Sequence, residues 1–377
     1  MKILFLSPAN SIHTVRWVNS LVERGHNVFL VSLVNHRNQE NNIYSKVVLY
    51  ELPISGAKGY YLNAIWLHRL EEKIKPDVVN VHYASGYGTL MRMAGLKNAV
   101  LSVWGSDVYD FPYRNWICMR IMQKNLNYAK RIASTSYSMA EQVRKILHRN
   151  LDIAITPFGV DLKQFIGKGI NEKSGRITIG CIKVLEQKYG INYLIEAIKL
   201  LLIKLEENGL KDVANKICCR IYGDGSQKEM LQNLIDNLGV TDVISLKGKI
   251  SHEKVPSVLS EMDIFCVLSE LDSESFGVAA VEASAQGIPV VASDVSGFRE
   301  VIEDGVTGMI VKRKSPKAAE KALEVLVLDR DLCIRMGQEG RKRVEKLYDW
   351  EENVGEMEKV YISMYRSKSR MNKNEKL

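Results

Sequence analysis

The sequence is short of several things, and each shortage removes a class of protein. It has no CxxC pair; the six cysteines, Cys118, Cys181, Cys218, Cys219, Cys266 and Cys333, are scattered and mostly sit in apolar runs. Buried, reduced thiols are therefore expected, and neither a disulfide framework nor a zinc site. No run approaches the ~18 apolar residues of a membrane-spanning helix. Ile3–Leu6, cut off by Ser7-Pro8, falls well short of the about 7–15 apolar residues of a secretory signal. The expected location is cytoplasmic, with at most a peripheral place at a membrane face. The first apolar run is followed by Ser7-Pro-Ala-Asn-Ser-Ile-His13 and not by Gly-x-Gly-x-x-Gly, which argues against a dinucleotide oxidoreductase. Asp329-Arg-Asp331 is the one Asp-x-Asp, and it lies at a turn between helical patterns. Two solvated charges are expected there, and no metal site.

What is present is ordinary globular material. In 377 residues, 46% are apolar and 25% charged, which excludes disordered and fibrous chains. That length favours two domains at typical sizes of about 100–200 residues. Lys and Arg outnumber Asp and Glu by 52 to 44, so a polyanionic partner is favoured: a nucleotide diphosphate, an anionic lipid or a nucleic acid. The basic residues are dispersed and carry no interleaved aromatics, which speaks against nucleic acid.

Short apolar runs at Ile3–Leu6, Val28–Leu33, Val78–His82, Ala99–Val103 and Ile132–Ser134 alternate with amphipathic stretches such as Thr14–Arg24 and Ile65–Ile74. A second series follows at Ile177–Gly180, Lys216–Tyr222, Val243–Leu246, Ile264–Leu268, Pro289–Ala292 and Gly308–Val311. Strand and helix in alternation imply α/β units with parallel sheets, here two doubly wound, Rossmann-like domains in tandem. The expected division is 1–165, then 176–350, with the glycine-interrupted stretch Phe165–Arg176 as linker and 351–377 as a terminal helix plus a basic tail, Ser367–Leu377, that frays.

The most informative segment runs from Ser269 to Glu282, a polar loop after the strand Ile264–Leu268 that leads into a helical pattern. Ligands of such sheets bind beyond the carboxyl ends of the strands. A helix starting near Phe276–Val278 aims N–H groups and partial positive charge there, which suits a diphosphate. Glu274 precedes the helix and Glu282 lies about one and a half turns inside it, so the two carboxylates can meet different hydroxyl pairs of one extended ligand. An N-cap acid plus an exposed helix acid fits the spacing as well.

Glu274 and Glu282, with Glu-Ser-Phe-Gly-Val and the later Gly-Ile-Pro-Val-Val-Ala-Ser, resemble the E-x7-E motif region of glycosyltransferase family 4. The likeness runs along nearly the whole chain: Pro157-Phe-Gly-Val-Asp161 resembles an interdomain segment with Phe158 where asparagine is usual. Tyr222-Gly-Asp-Gly225 and Asp304-Gly-Val-Thr-Gly308 resemble glycine-containing turns. Most members carry arginine where this chain has Lys183, displaced by one or two residues, and Lys188 stands near a second cation position. Read without the resemblance, both are better taken as solvated loop lysines.

The resemblance implies a GT-B architecture, two Rossmann-like domains facing across a cleft, with the terminal helix of 351–377 crossing back to the N-terminal domain. It implies a retaining transferase that moves a hexosyl or N-acetylhexosaminyl group from a nucleotide-diphosphate sugar, with that donor as co-substrate and no metal or other cofactor. It makes Glu274, His82, Lys183 and Lys188 catalytic candidates, and Gly223, Gly225, Ser275, Phe276, Gly277, Val278 and Glu282 donor-binding candidates. His82, at a strand end, would face the transferred sugar, whereas a lone histidine there is otherwise more often structural. His13, Arg16 and Asp107 are acceptor-side candidates, with a turn or N-cap role equally open for Asp107. The acceptor is expected to be a saccharide or lipid-linked saccharide of surface-polysaccharide or glycolipid assembly. The basic, apolar stretch Phe111–Arg131 would rest on an anionic membrane surface. A sugar-nucleotide 2-epimerase and a non-catalytic binding subunit are the alternatives.

Overall fold

In the computed structural model, residues 1–40, 42–167, 169 and 175–374 are described, 367–374 by their backbone alone. Among the described residues, thirteen short strands are distributed over two parallel sheets: β1 (Lys2–Leu6), β2 (Asn27–Leu33), β3 (Val48–Leu52), β4 (Val78–His82), β5 (Ala99–Val103), β6 (Arg131–Ser134) and β7 (Ala154–Ile155) form the first. The second holds β8 (Ile177–Ile182), β9 (Ile217–Tyr222), β10 (Ile244–Gly248), β11 (Ile264–Val267), β12 (Val290–Ser293) and β13 (Gly308–Val311). The central apolar runs become strands covered on both faces: β1, β4, β5, β11 and β12 are almost wholly buried.

Strand order is β3-β2-β1-β4-β5-β6-β7 in one sheet and β10-β9-β8-β11-β12-β13 in the other. Each order reverses once, between β1 and β4 and between β8 and β11, and the loops beyond those strand ends are where an open α/β sheet holds ligands. Helix starts follow the capping rules. Asn115, Ser136 and Ser315 accept from the N–H groups of Cys118, Met139 and Ala318. Asp329 does the same for Leu332, so the Asp329-Arg-Asp331 turn serves as the cap of the helix Arg330–Leu347.

The chain divides into two compact units, Met1–Pro157 with Glu352–Leu377, and Phe158–Glu351. The boundary thus falls before Phe158 and not within Phe165–Arg176, because Val160 exchanges backbone hydrogen bonds with Tyr348 and Trp350 inside the second unit. Residues 168 and 170–174 of the expected linker lie outside the described residues. The terminal helix Trp350–Asn374 continues through most of the stretch expected to fray; 375–377 lie outside the described residues. From Glu352 onward it belongs to the first unit, where Glu358 accepts from Arg24 at 2.6 Å and from His26 at 2.6 Å. Its Tyr361 hydroxyl accepts from Asn80 at 2.7 Å. Among the described residues, no helix is long and apolar enough to cross a membrane.

Candidate donor site

At the switch point of the second sheet, Lys183 directly follows β8, and β11 leads into the loop before the helix Val278–Ala285. The two come together: Lys183 Nζ lies 2.5 Å from Glu274 Oε2, with only 15% and 11% of the side chains exposed. Burial alone would lower the Lys183 ammonium, but Glu274 and the Tyr189 phenol outweigh it and hold the group above its ordinary value. Tyr189 gathers both candidate lysines, its ring centroid 4.8 Å from Lys183 Nζ and 5.1 Å from Lys188 Nζ. The short turn that carries Lys188 is fastened to the Glu274 loop, because the Glu270 N–H donates to the Lys188 carbonyl at 2.8 Å.

Glu282, 6% exposed, points its Oε1 at His252 Nε2, 2.9 Å away. The helix that carries it begins at Gly277, whose φ of +81° is left-handed backbone that a residue with a side chain resists. Substitution there meets a second obstacle, since a Cβ would lie 2.7 Å from the Phe298 ring. Phe276 packs inward against Phe158 at 5.9 Å and Tyr348 at 5.4 Å, and Ser275 is buried too. These two residues therefore position the loop by packing, and Phe158 is the aromatic neighbour of Phe276. Gly223 and Gly225 lie under the Lys183 turn: a Cβ on Gly223 would sit 1.8 Å from the Lys183 carbonyl oxygen. Their place is to let β9 close against the Lys183–Leu185 backbone.

Sequence reasoning missed the clamp on this loop. Arg313 Nε donates to Asp294 at 2.9 Å, one terminal nitrogen reaches Asp272 at 3.2 Å, and the other reaches the Glu270 carbonyl at 3.3 Å. Burial would raise the Asp272 and Asp294 carboxyls, but hydrogen bonds from Ser296 and Arg313 to Asp272, and from Arg313 to Asp294, prevail and hold both below the ordinary value. Lys314 pairs with Glu270 at 2.9 Å. Neither Arg313 nor His252 carries a local motif; both act across the fold. Among the described residues, no group of three His, Cys, Asp or Glu side chains is placed to hold a metal ion.

In the first unit, His82 ends β4 at the switch point and is wholly buried. Its ring lies 4.1 Å from that of Trp104 and 4.5 Å from that of Phe5. The expectation of an imidazole open to a sugar is therefore corrected: the ring is covered, burial and then the His13 charge push it well below its ordinary pKa, and Nδ1 has no partner among the described residues. Tyr83, next in the chain, takes a left-handed φ of 67° and packs on Trp104 at 4.9 Å. His13, on the helix Ile12–Glu23, meets the same indole at 5.6 Å, and Arg16 lies half-buried on that helix. Asp107 is 2% exposed and accepts N–H groups from Ala84 at 2.8 Å, Gly105 at 2.9 Å and Trp104 at 3.1 Å. Of the two roles open to it, the geometry gives the turn-holding one.

Residues 2–136 match the family model described as glycosyl transferase 4-like, and 163–343 match that described as glycosyl transferases group 1. An uncharacterized glycosyltransferase of Methanocaldococcus jannaschii is 25% identical over 339 residues, 87% of this chain and 88% of its own length. The N-acetyl-alpha-D-glucosaminyl L-malate synthase of Bacillus anthracis is 24% identical over 92% of this chain and 91% of its own length. A putative colanic acid biosynthesis glycosyltransferase of Escherichia coli is 31% identical over 54% of this chain and 48% of its own. In fold, the chain is similar to sucrose-phosphate synthase from Thermosynechococcus elongatus, with a TM-score of 0.79 at 16% identity, covering 97% of this chain and 100% of that one. It is also similar to Anabaena HepE bound to UDP-glucose, with a TM-score of 0.76 at 14% identity, over 96% and 100% of the two chains.

Proposed function

From a chain that belongs to the glycosyltransferases of the group 1 and 4-like type, with Rossmann-like GT-B domains, we propose a retaining, metal-independent transfer of a hexosyl or N-acetylhexosaminyl group. The donor is a nucleotide-diphosphate sugar and the acceptor a lipid-linked saccharide, met at an anionic membrane surface in polysaccharide or glycolipid assembly. The observation that carries the donor half is the cluster of Lys183, Lys188 and Tyr189 beside the start of the helix Val278–Ala285. Two cations and a helix N-terminus suit a diphosphate whose negative charge grows as the sugar leaves. Lysine acts here as a point charge, without the bidentate fork of arginine.

In the reaction proposed, the bond from the anomeric carbon to the diphosphate breaks while the acceptor oxygen bonds to the same face, and the acceptor proton passes to the departing phosphate oxygen. Glu274 orients the sugar and Glu282 the ribose diol. The acceptor reading draws support from the colanic acid relative and from the acid-free, apolar stretch Phe111–Tyr128.

Thermal stabilisation of the purified protein by a panel of sugar nucleotides tests the donor, since a ligand at a hundred times its dissociation constant adds about 2.7 kcal/mol. Transfer should then persist in excess chelator and give a product with the anomeric configuration of the donor. Activity lost in chelator and restored by magnesium or manganese, or an inverted product, counts against the mechanism. Conversion of donor without acceptor would make the chain an epimerase instead.

A further inference from the structure

Beyond the carboxyl ends of β4 and β5, the first unit contains a cavity of about 360 Å³. Tyr60, Tyr61 and Phe111 give it aromatic walls, and Ser85, Asp107 and Arg114 line it as well. Both Asp107 oxygens are taken by the turn N–H groups described above. Arg114 is different: it is exposed, lies over the Phe111 ring at 5.9 Å and forms no ion pair among the described residues. An aromatic slot with one uncommitted guanidinium suits an anion that carries apolar bulk.

The surroundings say how large that bulk is. After Tyr61 the chain exposes Leu62, Ile65 and Trp66, and after Phe111 it exposes Tyr113, Trp116 and Ile117, with Trp116 at 75% and Ile65 at 63%. A free sugar phosphate has no use for such surface, whereas a hydrocarbon chain does. Both segments are also one-signed. Neither Pro53–Leu70 nor Phe111–Ala140 contains an Asp or Glu, while Lys58, Arg69, Arg114, Arg120 and Lys124 supply cations.

The geometry points to a second binding site, complete within the first unit, that takes the phosphate end of a long-chain lipid, with the phosphate on Arg114 and the chain along the exposed apolar residues of the two flanking segments. It rests on the transferase reading for its purpose, as the place where a lipid-linked acceptor is held, but the chemistry of recognition stands on the cavity alone.

Decyl phosphate below its micellar concentration is the probe, followed by tryptophan fluorescence, with decanol and inorganic phosphate as partial ligands and vesicles of phosphatidylglycerol as a surface. Wild type should bind decyl phosphate more tightly than either partial ligand. Arg114→Gln should weaken it about tenfold or more, and Arg114→Lys should restore part of the loss. Tyr61→Ala, at an exposed position, should weaken decyl phosphate and decanol alike. The site is overturned if decanol binds as well as decyl phosphate, if Arg114→Gln changes nothing, or if only vesicles bind. Nucleotide-sugar stabilisation measured on the same sample separates the two readings: a chain that binds donor but not decyl phosphate loses this site and keeps its donor site.

Discussion

Lys183 and Glu274 form an ion pair at 2.5 Å, so in the proposed reaction a diphosphate would take over part of the lysine's partnership and free the carboxylate for sugar hydroxyls. Glu282 is held by His252 farther along the helix, so the two acids have different partners, and the proposal gives them different roles. Glu274→Gln should therefore lower kcat by one to two decades with little change in nucleotide affinity. Glu282→Ala should raise the nucleotide Kd about tenfold, and unchanged rates and affinities in both would refute the assignment. His82 makes a different prediction. Its folded-state pKa is depressed, so the unfolded chain binds a proton that the folded chain refuses as pH falls below 6.5, and stability is lost in that direction. The slope contributed by one such group is at most about 1.4 kcal/mol per pH unit. Denaturant midpoints between pH 7.5 and 5.5 should fall less steeply in His82→Gln than in wild type; parallel slopes would show that the imidazole titrates normally.

At the scale of the element, the loop between β11 and the helix Val278–Ala285 is shaped by Arg313, which reaches it from beyond β13. Arg313→Ala leaves Asp272 and Asp294 without their main cation. With these groups partly exposed, the loss is expected to be about 1–2 kcal/mol, together with weaker nucleotide binding. The two carboxyls are held below their ordinary pKa, so this contribution is present above about pH 4 and disappears as they protonate. Urea midpoints of variant and wild type should differ at pH 7 and draw together as the pH falls below the ordinary carboxylate range, and a gap that stays constant in acid would refute the ion-pair account. Such an element is hard to read in a sequence. The helix start was legible because Glu274, Gly277 and Glu282 crowd into nine residues, whereas Arg313 and His252 join it from 41 and 30 positions away. β3 escaped for the opposite reason. It is an edge strand with Val48 43% and Leu49 37% exposed, so burial imposes no clean pattern on it. β7, only Ala154–Ile155, is too short to leave one.

Over the whole chain, the doubling of the parallel sheet was plain from the two series of apolar runs, whereas the return of the final helix to the first unit has no local pattern of its own and was expected only from the family resemblance; the domain division places 352–377 in that unit. That helix contributes Val354, Met357, Tyr361 and Met364 to the buried set, besides Glu358 with Arg24 and His26. Tyr361 is fully buried and accepts from Asn80, the residue of β4 that in turn lies 3.4 Å from His82 Nε2. The helix thus completes the core of the first unit on the strand that ends at the switch point. Removing residues 352–377 takes away several large side chains, each worth about 2–5 kcal/mol when lost from a core, which exceeds the margin of an ordinary domain. The second unit, Phe158–Glu351, keeps its own sheet and its Lys183–Glu274 pair. Hydrogen exchange on the truncated chain should show amides of β1, β4 and β5 losing protection while those of β8, β11 and β12 retain it, and nucleotide stabilisation should survive. The milder Tyr361→Phe should keep the fold and cost about 1–3 kcal/mol through the unsatisfied Asn80 amide. Equal loss of protection in both sheets after truncation would mean that the two units unfold as one, and the helix would then belong to the chain as a whole.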